Sequence, residues 1–143
     1  MYDAQAGGES GAVHSSVKER WARRDPQLLL LAQRMAANVD DCLQALRAGA
    51  HGAVGACMDR NFQLRREIYG DAVVGAKNLR IAQLLAQLGW HAKFTGSGGA
   101  FVCLHRDEPE LSAARLQQMR DELAPQGFRL ERIEVGPPEE LWD

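Results

Sequence analysis

The segment with the clearest potential for chemistry is Lys93-Phe94-Thr95-Gly96-Ser97-Gly98-Gly99-Ala100, in which a serine lies among three glycines. Such glycines permit a tight turn and let a phosphate or another chain approach the backbone without a Cβ in the way. The segment is not a Walker A loop, because no Gly-Lys-Ser/Thr follows, and it is not a dinucleotide fingerprint, because no helix begins there. Two interpretations stay open from these residues alone, a phosphate-facing loop and a simple hairpin turn.

A second candidate lies between Asn61 and Glu67. Asn61 and Arg65 are four residues apart, so they share one face of a predicted helix. An arginine can bind a carboxylate or phosphate through two parallel hydrogen bonds, which lysine cannot. Arg65 and Arg66 are therefore candidate anion ligands, and the alternative is a solvated helix surface without functional consequence.

A third polar cluster, residues 13–18, precedes the first predicted helix and contains His14. Ser15 or Ser16 can cap this helix, and the backbone N–H groups at a helix start can receive an anion. Capping alone also accounts for the cluster. The four histidines of the chain show no metal-ligand spacing, and no Ser/His/Asp or Cys/His set can be assembled from sequence order.

Composition limits the class of protein. With 143 residues, of which 45% are hydrophobic, the chain has room for one compact domain. Its 17 Lys and Arg against 19 Asp and Glu give no broad positive field for a nucleic acid. Three cysteines without Cys-x-x-Cys spacing predict reduced thiols in a cytoplasmic protein. The absence of an 18-residue apolar run and of a signal-type N-terminus predicts neither a membrane protein nor a secreted one.

Hydrophobic periodicity predicts helices first and strands later. It predicts a long amphipathic helix over 17–47, bent near Pro26, whose apolar face contains Leu28, Leu31, Met35, Val39, Cys42 or Leu43, and Leu46. A second helix is predicted over 52–69, and a third from Asp71, its cap, to Gly89. Strands over 92–95 and 100–104, a helix over 109–123 and a last strand over 128–135 follow. This order is typical of an α+β sandwich, and because three strands make a thin sheet we expect a fourth.

Three segments, taken in order, resemble the GHMP kinases in their glucuronokinase form. Residues 92–100 are similar to the third, C-terminal motif of that family. A second segment is similar to the family's helical segment before this loop; it contains Asn61-Phe62-Gln63-Leu64-Arg65-Arg66, Tyr69-Gly70-Asp71, Gly75-Ala76 and Asn78. A third segment resembles the start of the same domain; it contains Ser10-Gly11 and Val13-His14-Ser15 with Val17, Arg20 and Trp21. The resemblance covers nearly the whole chain, residues 8–135.

The resemblance implies a ferredoxin-like domain over 17–135, with helices on one face of a small antiparallel sheet and its first strand truncated at Met1. A flexible segment over 1–16 and a tail over 136–143 flank it. The implied reaction uses ATP and Mg²⁺ to phosphorylate the anomeric hydroxyl of D-glucuronate, or of a related sugar, to the 1-phosphate. Support of the nucleotide phosphates is implied for Lys93, Thr95, Gly96, Ser97, Gly98 and Gly99. Substrate binding is expected at His14, Ser15, Asn61, Arg65 and Arg66.

The chain departs from the family in two ways. Trp90-His91 replaces small residues before the loop strand, and we expect this bulk to alter packing or substrate choice. The family's N-terminal domain, with its phosphate loop and catalytic base, is absent from the chain, so we expect the isolated chain to be inactive. The alternative function is a stand-alone ferredoxin-like module that binds an anionic ligand or a partner protein without catalysis.

Overall fold

The computed structural model describes residues 17–96, 99–107 and 110–133, so the predicted segment 1–16 and tail 136–143 lie outside the described residues. The elements are α1 (Pro26–Arg47), α2 (His51–Tyr69), α3 (Asp71–Val74), α4 (Ala76–Gln87), β1 (Trp90–Phe94), β2 (Phe101–His105), α5 (Ala113–Leu123) and a 3₁₀ turn (Ala124–Gln126). A short helical segment over residues 17–22 precedes α1. None of the helices in this part of the chain is long and apolar enough to cross a membrane.

The predicted α+β fold is confirmed, with helices packed against a small antiparallel sheet. β1 pairs with β2 so that Trp90 lies opposite His105 and Phe94 opposite Phe101. The hairpin and α2 thus have nearly the predicted bounds. Side chains from α2, α4, α5 and both strands form the core, which contains Phe62, Ile81, Leu85, Trp90, Phe94, Phe101, Met119, Leu123 and Phe128. Burial of these aromatic and aliphatic groups fixes the hairpin against the helices.

The prediction of one continuous helix over 17–47 is wrong, because the chain leaves the helical conformation at residues 23–25. Pro26 begins a new helix, since it has no N–H to donate to a preceding turn. The Asp25 side chain caps this helix by accepting from two backbone N–H groups of its first turn. Arg20 holds the junction together, with Nε 2.7 Å from the Asp25 carboxylate.

Half of the predicted apolar face of α1 is exposed. Leu28 and Leu31 are buried as predicted, whereas the exposed side chains are Val39, Leu43 and Leu46. Asn38 is buried in their place because its Nδ2 donates to the Cys57 carbonyl of α2 at 3.0 Å. The Asn38 Oδ1 is buried without a partner among the described residues, so this hydrogen bond offsets only part of the cost of burying the amide. The face of α1 that packs on α2 therefore does not follow hydrophobicity alone.

The predicted helix from Asp71 to Gly89 is also divided. Gly75, with φ 85°, separates α3 from α4 in a conformation that favours glycine. The prediction that Asp71 caps the helix is wrong. Its side chain makes no capping hydrogen bond, because Arg66 binds its two carboxylate oxygens through Nε and Nη2, each at 2.7 Å. The backbone of Gly70 occupies the capping position instead.

The C-terminal region differs from the prediction as well. α5 begins at Ala113 and not at residue 109, because the Ser112 hydroxyl accepts from the Arg115 N–H at 3.2 Å and caps the helix there. No strand forms over residues 128–133, and residues 134–135 lie outside the described part. The Leu130 carbonyl accepts from Arg120 Nε at 2.9 Å instead of joining a ladder.

A cleft of about 410 Å³ lies between β2 and residues 130–133. Its apolar lining includes Leu85, Trp90, Val102, Leu104, Leu116 and Ile133. This cleft separates residues 130–133 from the edge of β2, so the predicted third strand does not pair with the sheet in the described part of the chain.

Candidate functional site

The glycine-rich segment connects β1 to β2. The Thr95 N–H donates to the Ala100 carbonyl at 3.0 Å, which closes the loop at its base. Gly96 has φ 53° and Gly99 has φ 83°, both in the left-handed region that a side chain disfavours. Ser97 and Gly98 lie outside the described residues. The glycines at both ends of this glycine loop, defined as residues 95–100, are therefore required by its geometry.

Arg65 of α2 holds the first end of the glycine loop. Its Nη2 donates to the Gly96 carbonyl at 2.8 Å. The guanidinium carbon lies 4.4 Å from the centre of the Phe94 ring and 5.7 Å from that of Tyr69. Stacking on aromatic faces restricts the arginine without neutralising its charge. The structure thus places a cation directly against the loop.

Asn78 of α4 holds the second end. Its Oδ1 accepts from the Gly99 N–H at 3.2 Å, and its Nδ2 donates to the Val74 carbonyl at 2.7 Å. The residue is only 3% exposed. Sequence reasoning missed Asn78 as a site residue. Its spacing from Val74 and Ile81 was the available signal, since a polar residue on an apolar helical stripe needs a buried partner.

Asn61 and Arg65 lie on one face of α2, as their spacing predicted. The Asn61 Nδ2 contacts the Met35 sulfur at 3.2 Å. The Asn61 Oδ1 and the Arg65 Nε are both buried and have no hydrogen-bond partner among the described residues. Leaving such an atom unpaired costs about 1–3 kcal/mol. Arg65 therefore has an unused donor beside the glycine loop, and Asn61, one helical turn before it, has an unused acceptor; both atoms are buried in this structure.

Arg66 points to different partners. Besides Asp71 it binds the Gln63 Oε1 through Nη1 at 3.0 Å. Hydrogen bonding to Arg66, together with its charge, holds the pKa of Asp71 below its usual range. Of the remaining predicted residues, Lys93 is half-buried on β1 opposite Val102. His14 and Ser15 lie outside the described residues.

A second polar cluster lies at the far end of the hairpin. Asp59 of α2 contacts His91 Nδ1 at 2.7 Å, accepts from the Ala92 N–H at 3.1 Å and pairs with Arg106 at 3.2 Å. The His91 ring packs so closely on α2 that a Cβ added at Gly55 would overlap it. The bulk of His91 is therefore accommodated by the absence of a side chain at Gly55.

The described residues contain no group of three or more His, Cys, Asp or Glu side chains that could hold a metal ion. Cys42, Cys57 and Cys103 are free thiols. Burial raises the pKa of the Cys103 thiol to about 12, which keeps it protonated and unreactive near neutral pH. The polar side chains that contact the glycine loop are the Arg65 guanidinium, a group able to bind anions, and the Asn78 amide.

The chain is similar to known proteins over most of its length. The family model described as "GHMP kinases C terminal" matches residues 42–122. The chain is 31% identical over 134 residues to Probable glucuronokinase 2 and 29% identical over 134 residues to Glucuronokinase 1, both from Arabidopsis thaliana. Each match covers 94% of this chain, which spans only 36% of the relative's length. No solved structure matches the chain significantly. The chain therefore belongs to the GHMP kinase family and contains the C-terminal domain of that family.

Proposed function

We propose that this domain, over 17–135, is part of an ATP-dependent sugar kinase that phosphorylates the anomeric hydroxyl of D-glucuronate, or of a related sugar acid, to the 1-phosphate. Family membership supports a kinase, and the two similar plant proteins are glucuronokinases by name. The observation that carries the substrate class is the unpartnered pair of atoms, Asn61 Oδ1 and Arg65 Nε. An amide oxygen accepts from a sugar hydroxyl and a guanidinium N–H donates to a carboxylate, so the pair suits a sugar acid once the side chains that bury both atoms move aside.

The glycine loop is assigned to the nucleotide phosphates, with support from Lys93, Thr95, Gly96, Ser97, Gly98 and Gly99. The described part of the loop fits this role, because Gly96 and Gly99 have positive φ and the Arg65 cation lies against Gly96. ATP supplies the phosphoryl group, and Mg²⁺ offsets phosphate charge. The described residues include no Mg²⁺ ligand cluster, so its ligands are assigned to the rest of a longer protein. The loop contributes by positioning and charge neutralisation.

The substrate side is assigned to His14, Ser15 and Asn61 together with an arginine. Arg65 is the better candidate for the sugar carboxylate, because Arg66 is already bound at both oxygens of Asp71. A carboxylate at Arg66 would have to displace that partner, which would offset much of the gain. Arg66 is therefore the second candidate.

The rest of the site is assigned to an N-terminal domain, joined to this chain or supplied by a second polypeptide. The chain spans 36% of the length of its curated relatives. The apolar cleft beside β2 and the exposed Val39, Leu43 and Leu46 are surfaces that such a domain can cover. The proposal includes a cytoplasmic location, in keeping with the three free cysteines. It includes neither a nucleic-acid nor a membrane partner.

The test is steady-state kinetics on the longer protein that carries this domain, with D-glucuronate and D-glucose compared as substrates. We expect ATP-dependent phosphorylation of D-glucuronate. Arg65→Ala should raise the KM for glucuronate at least about tenfold relative to its effect on glucose, the effect of losing one charge-assisted hydrogen bond. Arg66→Ala is the comparison variant, because it removes the neighbouring charge on the same helix; an effect confined to this variant would assign the carboxylate to Arg66. An unchanged ratio in both variants would contradict the carboxylate assignment.

A second experiment separates the kinase from the stand-alone binding module. The intact mass of the native protein in its source cells is measured, and turnover is assayed on that product. A product much larger than 15.8 kDa that phosphorylates a sugar acid supports the proposal. A native product of 15.8 kDa that binds glucuronate or inorganic phosphate without turnover would replace the kinase by the binding module.

A further inference from the structure

We propose that Asn78 is a positioning residue that fixes the glycine loop in the conformation from which the loop supports the nucleotide phosphates. The anchoring of the loop by Asn78 follows from the geometry alone. Its role in nucleotide binding rests on the proposed function. Asn78 does not face the substrate. It acts through Gly99, whose N–H it accepts at 3.2 Å.

The orientation of the Asn78 amide is fixed from its other side. Its Nδ2 donates to the Val74 carbonyl at 2.7 Å, so the side chain cannot rotate without losing both hydrogen bonds. In a continuous helix that carbonyl would accept a backbone N–H, but the break at Gly75 frees it. The division between α3 and α4 therefore provides the acceptor that orients Asn78.

The anchor determines which loop groups remain for a ligand. The Gly99 N–H is buried and donated to Asn78, so it serves to hold the loop and not to bind a phosphate oxygen. The Gly96 carbonyl is likewise taken by Arg65. The loop is thus fastened at both ends, once by α2 and once by α4.

The first test is amide hydrogen exchange of the 143-residue chain, measured by NMR. Asn78→Ala should speed exchange of the Gly99 amide about tenfold relative to the buried Leu64 amide, the effect of losing one ordinary hydrogen bond. Asn78→Asp keeps an oxygen acceptor and should restore part of the protection, which also covers the case in which Asn78→Ala fails to fold. An unchanged Gly99 to Leu64 ratio in both variants would overturn the anchoring.

Asn38→Ala is the matched control. Asn38 is buried to the same 3% exposure and donates to a backbone carbonyl, that of Cys57, at 3.0 Å. It joins α1 to α2 and has no hydrogen bond to the loop among the described residues. We therefore expect Asn38→Ala to lower overall stability while leaving the ratio of Gly99 to Leu64 exchange unchanged.

The second test is a comparison of Michaelis constants in the longer protein. Asn78→Ala should raise the KM for ATP about tenfold and leave the KM for the sugar acid within about twofold, since Asn61 and Arg65 are untouched. Asn38→Ala should change neither. Faster Gly99 exchange with an unchanged KM for ATP would overturn the positioning role. If the longer protein phosphorylates no sugar acid, the proposed function fails, while the exchange ratio still decides whether Asn78 holds the loop.

Discussion

The Nη2 of Arg65 lies 2.8 Å from the carbonyl oxygen of Gly96, a residue 31 positions further along the chain. This hydrogen bond joins α2 to the glycine loop, while the Nε of the same guanidinium has no partner among the described residues. On the proposed function, this one side chain contacts both the loop and the sugar acid. A change at Arg65 itself is therefore expected to affect both.

The first prediction concerns Arg65→Lys. Lysine keeps the charge but has a single nitrogen, which cannot bind Gly96 and a carboxylate in the fork geometry of arginine. We expect the KM values for both ATP and the sugar acid to rise about tenfold. Steady-state kinetics on the longer protein measures both. Asn61→Ala is the control and should raise only the sugar-acid KM; a rise in only one constant for Arg65→Lys would contradict the shared role.

The second prediction concerns the aromatic support beneath Arg65. Phe94 lies 4.4 Å from the guanidinium carbon, and its ring centre is 5.5 Å from that of Phe62 and 5.8 Å from that of Phe101. Phe94→Leu should lower the free energy of unfolding by about 1 kcal/mol more than Phe128→Leu, because Phe128 has no ring contact among the described residues. Urea unfolding of both variants measures the difference. Equal losses would show that the ring contacts contribute nothing beyond burial.

The third prediction concerns the close contact between Gly55 and His91. Gly55→Ala should lower the free energy of unfolding by about 1–3 kcal/mol, because the new methyl group overlaps the imidazole ring. Gly52→Ala is the matched control on the same helix. Nothing lies within 4 Å of its added Cβ, so it should stabilise by about 0.5–1 kcal/mol.

A double variant checks the cause of the Gly55→Ala effect. Replacing His91 by alanine removes the ring that the methyl group meets. The combined Gly55→Ala and His91→Ala variant should therefore be more stable than His91→Ala alone by about 0.5–1 kcal/mol, the gain also expected for Gly52→Ala. A further loss in the double variant would place the strain elsewhere.

The fourth prediction concerns pH. The Arg66 guanidinium lowers the pKa of Asp71 in the folded chain, so this carboxylate stabilises the fold above its unfolded pKa of about 4. The contribution is lost as the pH falls from about 4 through the folded pKa. Asp71→Asn should flatten the decline of Tm below pH about 4. Arg66→Gln should flatten it equally, and the double variant should add nothing; additive effects would mean that the two residues act separately.

The sequence predicted those elements whose signals are local. The bounds of α2 and the hairpin follow from apolar spacing and from glycines at turns, and both are confirmed. The break at Gly75 was missed, because the apolar stripe of the predicted helix continues across it. The strand over 128–135 was predicted from the turn at Gln126-Gly127 and the segment that follows it, yet a strand also needs a neighbour, and a cleft separates residues 130–133 from β2.

The candidate site was predictable only in part. The glycine loop and the shared face of Asn61 and Arg65 follow from residue type and spacing. That Arg65 holds the loop while Arg66 binds Asp71 depends on how α2 is rotated against β1, which adjacent arginines do not reveal. The role of Asn78 depends on a partner 21 residues away. Such contacts are tertiary, so no local pattern encodes them.

The Asp59 carboxylate accepts the Ala92 N–H, a donor on the side of β1 that faces away from β2. A carboxylate at this position occupies the donor and repels the carbonyl oxygens of any strand that approaches from that side. Among the described residues, this donor of β1 is therefore occupied, whereas no strand lies beside β2. We expect a strand contributed by a longer protein to add beside β2 and not beside β1.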